Sequence, residues 1–208
     1  DDLTFVASDG HKLVRVTTSE VKGEGRSSFI LPKKPANLLK SLLPRESGMV
    51  EIQFDENNAY IATESYQMVC RFVEGRYPNY NSVIPENNPN MVTLDRLALL
   101  NALKRVAVFS NPSSSLVKLQ LSEDKIVVSA QDIDFLTAAE ETIVCSYQGN
   151  VMNIGFKAVF MIDILNNIPS ADVRIELSDP SRAGLILPVE KEENEDMLTL
   201  LMPMMLND

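Results

Sequence analysis

The chain has 208 residues, 45% hydrophobic and 23% charged, the make-up of a packed globular protein with room for one large domain or two small ones. No apolar run approaches the roughly 18 residues that a membrane-spanning helix needs, and no stretch reads as a signal peptide. The formal net charge of −10 argues against a simple nucleic-acid binder, whose footprint is usually basic.

Asp1 and Asp2 open directly onto an apolar alternation with no Met before them, so the sequence reads as a piece of a longer chain. Residues 3–8 and 12–18 are predicted strands, joined at Asp9-Gly10, a strong tight-turn signal. His11 either starts the second strand or is presented, with Leu13, at the rim of a groove. Gly23-Glu24-Gly25-Arg26-Ser27-Ser28 lacks a final glycine and leads into a strand, so it reads as a hairpin loop and not as a phosphate cradle.

Three repeats of one pattern follow: a short strand, an amphipathic helix, then alternating strands. The first takes residues 29–31, a helix carrying Leu38, Leu39, Leu42 and Leu43, a strand at 50–54, a turn at 55–58, and strands at 59–62 and 67–73. Residues 74–90 hold three prolines, one glycine and five asparagines, which marks a domain boundary. The second repeat takes 91–94, a helix with Leu97, Leu100, Leu103 and Val106, then 117–121, 126–129 and 135–144. The third takes 151–156, a helix with Val159, Ile162 and Leu165, then 173–177, 184–187 and 197–202. Apolar spacing of three and four predicts one buried helix face, and strict alternation predicts one buried sheet face. One such unit cannot bury its sheet well, whereas two packed together share a core.

Glu190 to Asp196 form an acidic run that reads as a solvated hairpin loop, since it lacks the ligand spacing and glycine of a calcium loop. The last stretch, from Leu198 through Met202, Pro203, Met204, Met205 and Leu206, is unusually apolar for a chain end. It reads either as a strand closing the core or as a strand whose end lines a peptide-docking groove. Cys70 and Cys145 lie in apolar runs without metal spacing, as expected of buried reduced thiols in a cytosolic protein.

Chemistry is poorly represented. His11 is the only histidine, no G-x-S-x-G or Walker motif occurs, and no His, Cys and carboxylate cluster has metal spacing. A hydrolase or sugar-modifying enzyme using Asp9 and His11 is one reading; a purely structural β-rich module is another. Lys33, Lys34, Lys40, Arg96, Lys104, Arg105 and Lys157 fall on or beside the helices. They are either ordinary solvated faces or a locally basic surface that tracks phosphates.

Several motifs occur together in order. These are Ala7-Ser8-Asp9-Gly10-His11-Lys12-Leu13, Phe72-Val73-Glu74-Gly75-Arg76-Tyr77-Pro78-Asn79-Tyr80, Ser110-Asn111, Ile154-Gly155-Phe156, and Met202-Pro203-Met204 followed by Leu206. Over essentially the whole chain they resemble the beta subunit of bacterial DNA polymerase III, the processivity sliding clamp. The resemblance implies an α+β DNA-clamp fold of repeated βαβββ units, with helices lining an inner face and antiparallel sheets outside. It implies that residues 1–83 are the back part of a middle domain and 84–208 a complete last domain. It implies a non-enzymatic, cytoplasmic processivity factor without cofactor or metal, which as a full-length head-to-tail homodimer encircles duplex DNA; this piece alone would not close the ring. The implied DNA-facing residues are Lys33, Lys34, Lys40, Arg96, Lys104, Arg105 and Lys157. Short peptides of polymerase, clamp loader and repair proteins would dock in a groove lined by Ser8, Gly10, His11, Lys12, Leu13, Pro78, Val83, Lys157, Phe160, Leu200, Leu201, Met202, Pro203, Met204 and Leu206. Met205 departs from the family pattern, standing where a basic residue is common.

Overall fold

The computed structural model describes residues 2–21 and 27–206. The predicted loop at 23–28 therefore lies largely outside the described residues. In chain order the elements are β1 (Leu3–Ser8), β2 (Lys12–Thr18), α1 (Lys33–Leu42), β3 (Glu51–Phe54), β4 (Asn58–Ala62), β5 (Gln67–Arg71), β6 (Asn90–Asp95), α2 (Arg96–Val106), β7 (Leu116–Ser122), β8 (Lys125–Asp132), β9 (Thr137–Val144), β10 (Ser146–Gln148), β11 (Met152–Lys157), α3 (Ala158–Asn167), β12 (Asp172–Leu177), β13 (Gly184–Pro188) and β14 (Glu195–Leu201). Short 3-10 turns follow α1 and α2 and occupy Tyr80–Val83. The described residues form two compact units, one of 2–21 with 81–206 and one of 27–80.

The larger unit has a seven-stranded sheet in the order β1-β2-β14-β13-β12-β6-β10 and a four-stranded sheet in the order β11-β7-β8-β9. Strand β2 pairs antiparallel with β14, from Glu195 opposite Thr18 to Leu201 opposite Lys12. The first hairpin is thereby built into the same sheet as the end of the chain. Helices α2 and α3 pack on each other, and the core draws on both helices and both sheets, with Leu99, Leu103, Leu119, Ile126, Ile154, Met161 and Leu165 fully buried.

The buried stripes differ in phase from the predicted ones. On α2 the buried set is Leu99, Leu100, Ala102, Leu103 and Val106, while Leu97 is 51% exposed. On α3 it is Ala158, Met161, Ile164 and Leu165, while Val159 is 49% exposed. Leu97 shares a three-residue spacing with Leu100, but Leu100 is at one edge of the stripe, so a further turn back leaves the core.

Arg96 opens α2 and reaches across to α3, donating from Nε to the Ser170 carbonyl at 2.6 Å and from a terminal nitrogen to the Leu165 carbonyl at 2.9 Å. It satisfies acceptors that a helix end leaves unpaired. Arg96→Ala is expected to destabilise the unit by about 1–3 kcal/mol, because buried carbonyls lose charge-assisted donors. Urea unfolding checks this: a midpoint equal to wild type would refute the capping role.

The smaller unit has one three-stranded sheet, β3-β4-β5, and α1. Its core is slight: Ala59, Ile61 and Cys70, with Leu31, Leu39, Met68 and Phe72 packed against them. No residue of α1 is buried, and Ile52 and Phe54 on β3 are exposed, although the sequence alternates there as a half-buried strand does. A lone helix and three strands give those side chains no second layer. The predicted strand at 29–31 is not formed; Phe29 instead stacks on Phe72 with ring centroids 4.5 Å apart. Helix α1 ends at Leu42, and Leu43, still in the helical region at φ −57° and ψ −36°, opens a 3-10 turn carrying Pro44, which has no amide to extend the α-helical ladder.

Cys70 and Cys145 are free and buried, and burial pushes the Cys145 thiol up. Among the described residues no helix is long and apolar enough to cross a membrane, and no group of His, Cys, Asp and Glu is arranged to hold a metal ion.

Candidate functional site

Three pieces of the larger unit meet at one surface: the β1–β2 turn, the start of α3, and the segment after β14. The turn is held by its own side chains. Ser8 Oγ donates to the Lys12 carbonyl at 3.0 Å and accepts from the Gly10 amide at 3.2 Å. Asp9 Oδ1 accepts from the His11 and Lys12 amides at 3.0 and 2.9 Å. Gly10 has φ +85°, in the left-handed region that a side chain would strain. Desolvation pushes the Asp9 carboxyl up, but the two amides, with the charges of Lys12 and His11, outweigh it and hold the carboxyl below its ordinary value. Its oxygen thus fixes backbone, which is not the posture of an acid–base partner for the His11 ring.

The turn delivers His11 and Lys12 to Phe160, in the first turn of α3. The His11 ring stacks on Phe160 with centroids 5.7 Å apart and planes 25° apart. Lys12 Nζ lies 5.1 Å and Lys157 Nζ 5.2 Å from the Phe160 centroid, within cation–π range. Lys12 also forms an ion pair with Asp163, one turn further along α3.

The chain end closes the arrangement. Beyond Leu201, the Met202 amide donates to the His11 carbonyl at 2.9 Å. Pro203 has no amide and cannot continue that ladder. The Met204 amide then donates to the Gly155 carbonyl at 2.8 Å, so the tail leaves the seven-stranded sheet and bridges to β11 of the four-stranded sheet. Gly155 makes this approach possible. A Cβ there would stand 2.7 Å from the Met204 carbonyl oxygen and 2.9 Å from a Leu206 methyl. Leu13, Leu200 and Leu201, on the paired strands β2 and β14, are buried. Met202 is 43% exposed, and Lys12, Lys157, Phe160, Pro203, Met204 and Leu206 are half-buried, so the surface is apolar, shallow and open.

Most of the predicted lining is thus brought together. Val83 is exposed in the 3-10 turn before β6, and Pro78 belongs to the smaller unit, where its carbonyl accepts from the Tyr80 amide at 2.8 Å. Two cavities lie elsewhere, one of about 400 Å³ beside Phe29, Phe54 and Phe72 and one of about 240 Å³ under the β8–β9 turn. The sequence reading did not single out Asp163 as a neighbour of the groove. The signal it offered is the spacing of three from Phe160, which puts both on one helix face. Gly155 stood in a quoted motif, and a glycine inside a strand marks a close backbone approach.

The predicted basic residues are in different situations. Lys33, Lys34 and Lys40 are exposed on α1, and Lys104 is exposed on α2. Arg96 caps α3 as described. Arg105 grips Glu141 of β9 with two hydrogen bonds, of 2.7 and 2.6 Å, which raise the guanidinium pKa and lower that of the carboxyl. Lys157 lies over Phe160.

Residues 81–205 match the family described as DNA polymerase III beta subunit, C-terminal domain, and residues 1–79 match its central domain. The beta sliding clamp of Pseudomonas putida KT2440 is 31% identical over 205 residues, covering 98% of this chain and 55% of that protein. The beta sliding clamp of Escherichia coli K12 is 27% identical over 206 residues, covering 99% and 55%. The crystal structure of a Pseudomonas aeruginosa sliding clamp bound to griselimycin superposes with a TM-score of 0.92 at 29% identity, covering 99% of this chain and 55% of that one. The chain spans about half the length of the curated relatives it matches. Its sheets and helices have the α+β arrangement of those clamps. The chain belongs to the DNA polymerase III beta subunit family, the beta sliding clamps, over a stretch that matches their central and C-terminal domains.

Proposed function

We propose that this chain is part of a processivity clamp that encircles duplex DNA as a head-to-tail dimer. In this reading it tethers polymerase, clamp loader and repair proteins through short peptides docked around Phe160 and the chain end. The central domain takes residues 1–83 and the last domain 84–208. The carrying observation is the tail that crosses between two sheets while Met202, Pro203, Met204 and Phe160 keep apolar surface open to solvent. The groove residues of the larger unit are Ser8, Gly10, His11, Lys12 and Leu13 of the turn, Val83, Lys157 and Phe160, and Leu200 to Met204 with Leu206.

Energetics favour a partner that exchanges. Burying one Leu-sized side chain contributes roughly 1.5–3 kcal/mol. Two or three such anchors, less the cost of ordering, suit micromolar affinity, about −8 kcal/mol. A closed ring needs no tight grip on DNA, so a chain of net charge −10 can travel on an acidic polymer if lysines such as Lys33, Lys34, Lys40 and Lys104 face it.

The test is a calorimetric titration with a capped peptide carrying Leu and Phe anchors. Pro203→Gly combined with Met204→Ala is expected to weaken binding more than tenfold, since it frees the tail backbone and removes an apolar wall. Unchanged affinity would remove the tail from the site.

A further inference from the structure

The two ammonium groups over Phe160 are not equivalent, and the inference drawn from them rests on the docking reading above. Lys12 Nζ is paired with the Asp163 carboxylate, and its backbone amide is bonded to Asp9 Oδ1 at 2.9 Å. Lys157 has no carboxylate partner among the described residues. Its ammonium stands 5.2 Å from the centroid of a half-buried ring, and the first turn of α3 behind it has no acidic residue. The residue is itself half-buried, so its side chain is less free than a fully exposed lysine before anything binds. In a chain of net charge −10, this groove therefore holds two ammonium groups, of which only Lys12 is paired with a side-chain carboxylate, that of Asp163.

We propose that Lys157 selects acidic partner segments. A linear segment whose apolar anchor sits on Phe160 carries an aspartate or glutamate next to that anchor, and this carboxylate pairs with Lys157 Nζ. The source is a side chain and not a chain terminus. Ring and ammonium are 5.2 Å apart, so the carboxylate has to stand on a flexible arm beside the residue that covers the ring. Lys12 takes little part, because Asp163 already neutralises it. Such a pair sits between fully exposed and buried, where charge-assisted hydrogen bonds add selectivity as well as affinity.

Twin peptides test the proposal, both acetylated and amidated, with Leu and Phe anchors and either Asp or Asn beside the Phe. Fluorescence anisotropy at ~0.1 M salt reads their affinities. The wild-type chain is expected to prefer the Asp twin about three- to tenfold. Lys157→Met, which keeps an apolar stem, is expected to bring the Asp-to-Asn ratio to about one. Asp163→Asn, on an exposed part of α3, is expected to raise the ratio by releasing Lys12. A ratio near one on the wild-type chain, or one that survives Lys157→Met, overturns the selection by Lys157 while leaving the groove in place. Binding of neither twin overturns the docking reading itself. Preference for a free C-terminal acid over the capped Asp twin moves the carboxylate to a chain terminus. If a short DNA duplex displaces the Asp twin from the wild-type chain but not from Lys157→Met, the lysine serves phosphate and the proposal fails.

Discussion

Deleting residues 202–208 is expected to abolish binding of an apolar-anchored peptide, leaving affinity at least a hundredfold below that of the intact chain, while most of the fold persists. The separation follows from where the core ends. Leu201 is buried within the main hydrophobic cluster and is paired with Lys12 on β2, whereas Met202 is the first residue to turn half of its surface to solvent. The described residues from Met202 onward hold the larger unit with two backbone hydrogen bonds, from Met202 to His11 and from Met204 to Gly155. Each contributes net about 0.5–1.5 kcal/mol, so their loss alone does not unfold the unit. The same residues supply one wall of the proposed docking surface, and a groove with one wall buries little of a ligand. Calorimetric titration alongside far-ultraviolet circular dichroism checks both halves. Native-like dichroism with wild-type affinity would mean that partners dock elsewhere.

Gly155→Ala reaches the same wall from the other side. The added methyl would stand 2.7 Å from the Met204 carbonyl oxygen, 2.9 Å from a Leu206 methyl and 3.0 Å from a Leu116 methyl. The two leucine tips can turn aside, but the carbonyl is backbone and can retreat only if the tail moves. Strand β11 is paired with β7 from Met152 to Lys157, so the sheet holds and the tail gives way. The expected result is at least tenfold weaker peptide binding, with the Met204 amide exchanging with solvent at least tenfold faster. Amides in β7 and β8 keep their protection, which hydrogen exchange resolves residue by residue. An unchanged Met204 amide would show that the tail tolerates the methyl group.

Both predictions turn on a contact between segments far apart in the chain, and that is where sequence reading stops. Local signals were legible. The strands at 3–8 and 12–18 match β1 and β2 to the residue, and the Asp9-Gly10 turn joins them, because alternation and turn chemistry are properties of neighbouring residues. The three helices form where spacing of three and four demands them. The resemblance supplied most of the groove list, and the turn, Phe160 and the tail do converge.

Other features depended on which surfaces meet. Residues 3–18 share a sheet with residues 195–201, an arrangement that neither segment encodes alone. Leu97 and Leu100 are alike in sequence, yet only Leu100 faces a second layer. The alternation of 50–54 promises burial that the smaller unit does not provide. Lys12 finds Asp163 at a separation of 151 residues, and so Lys157 is left without a carboxylate partner. The sequence by itself determined most of the elements and the turns, since these follow from short-range sterics and apolar periodicity, while its ordered motifs carried the resemblance to the family. Tertiary structure alone decided which lysine is neutralised, which leucines are buried and where the tail lies, because burial and ion pairing are set by the faces that pack together and not by position along the chain.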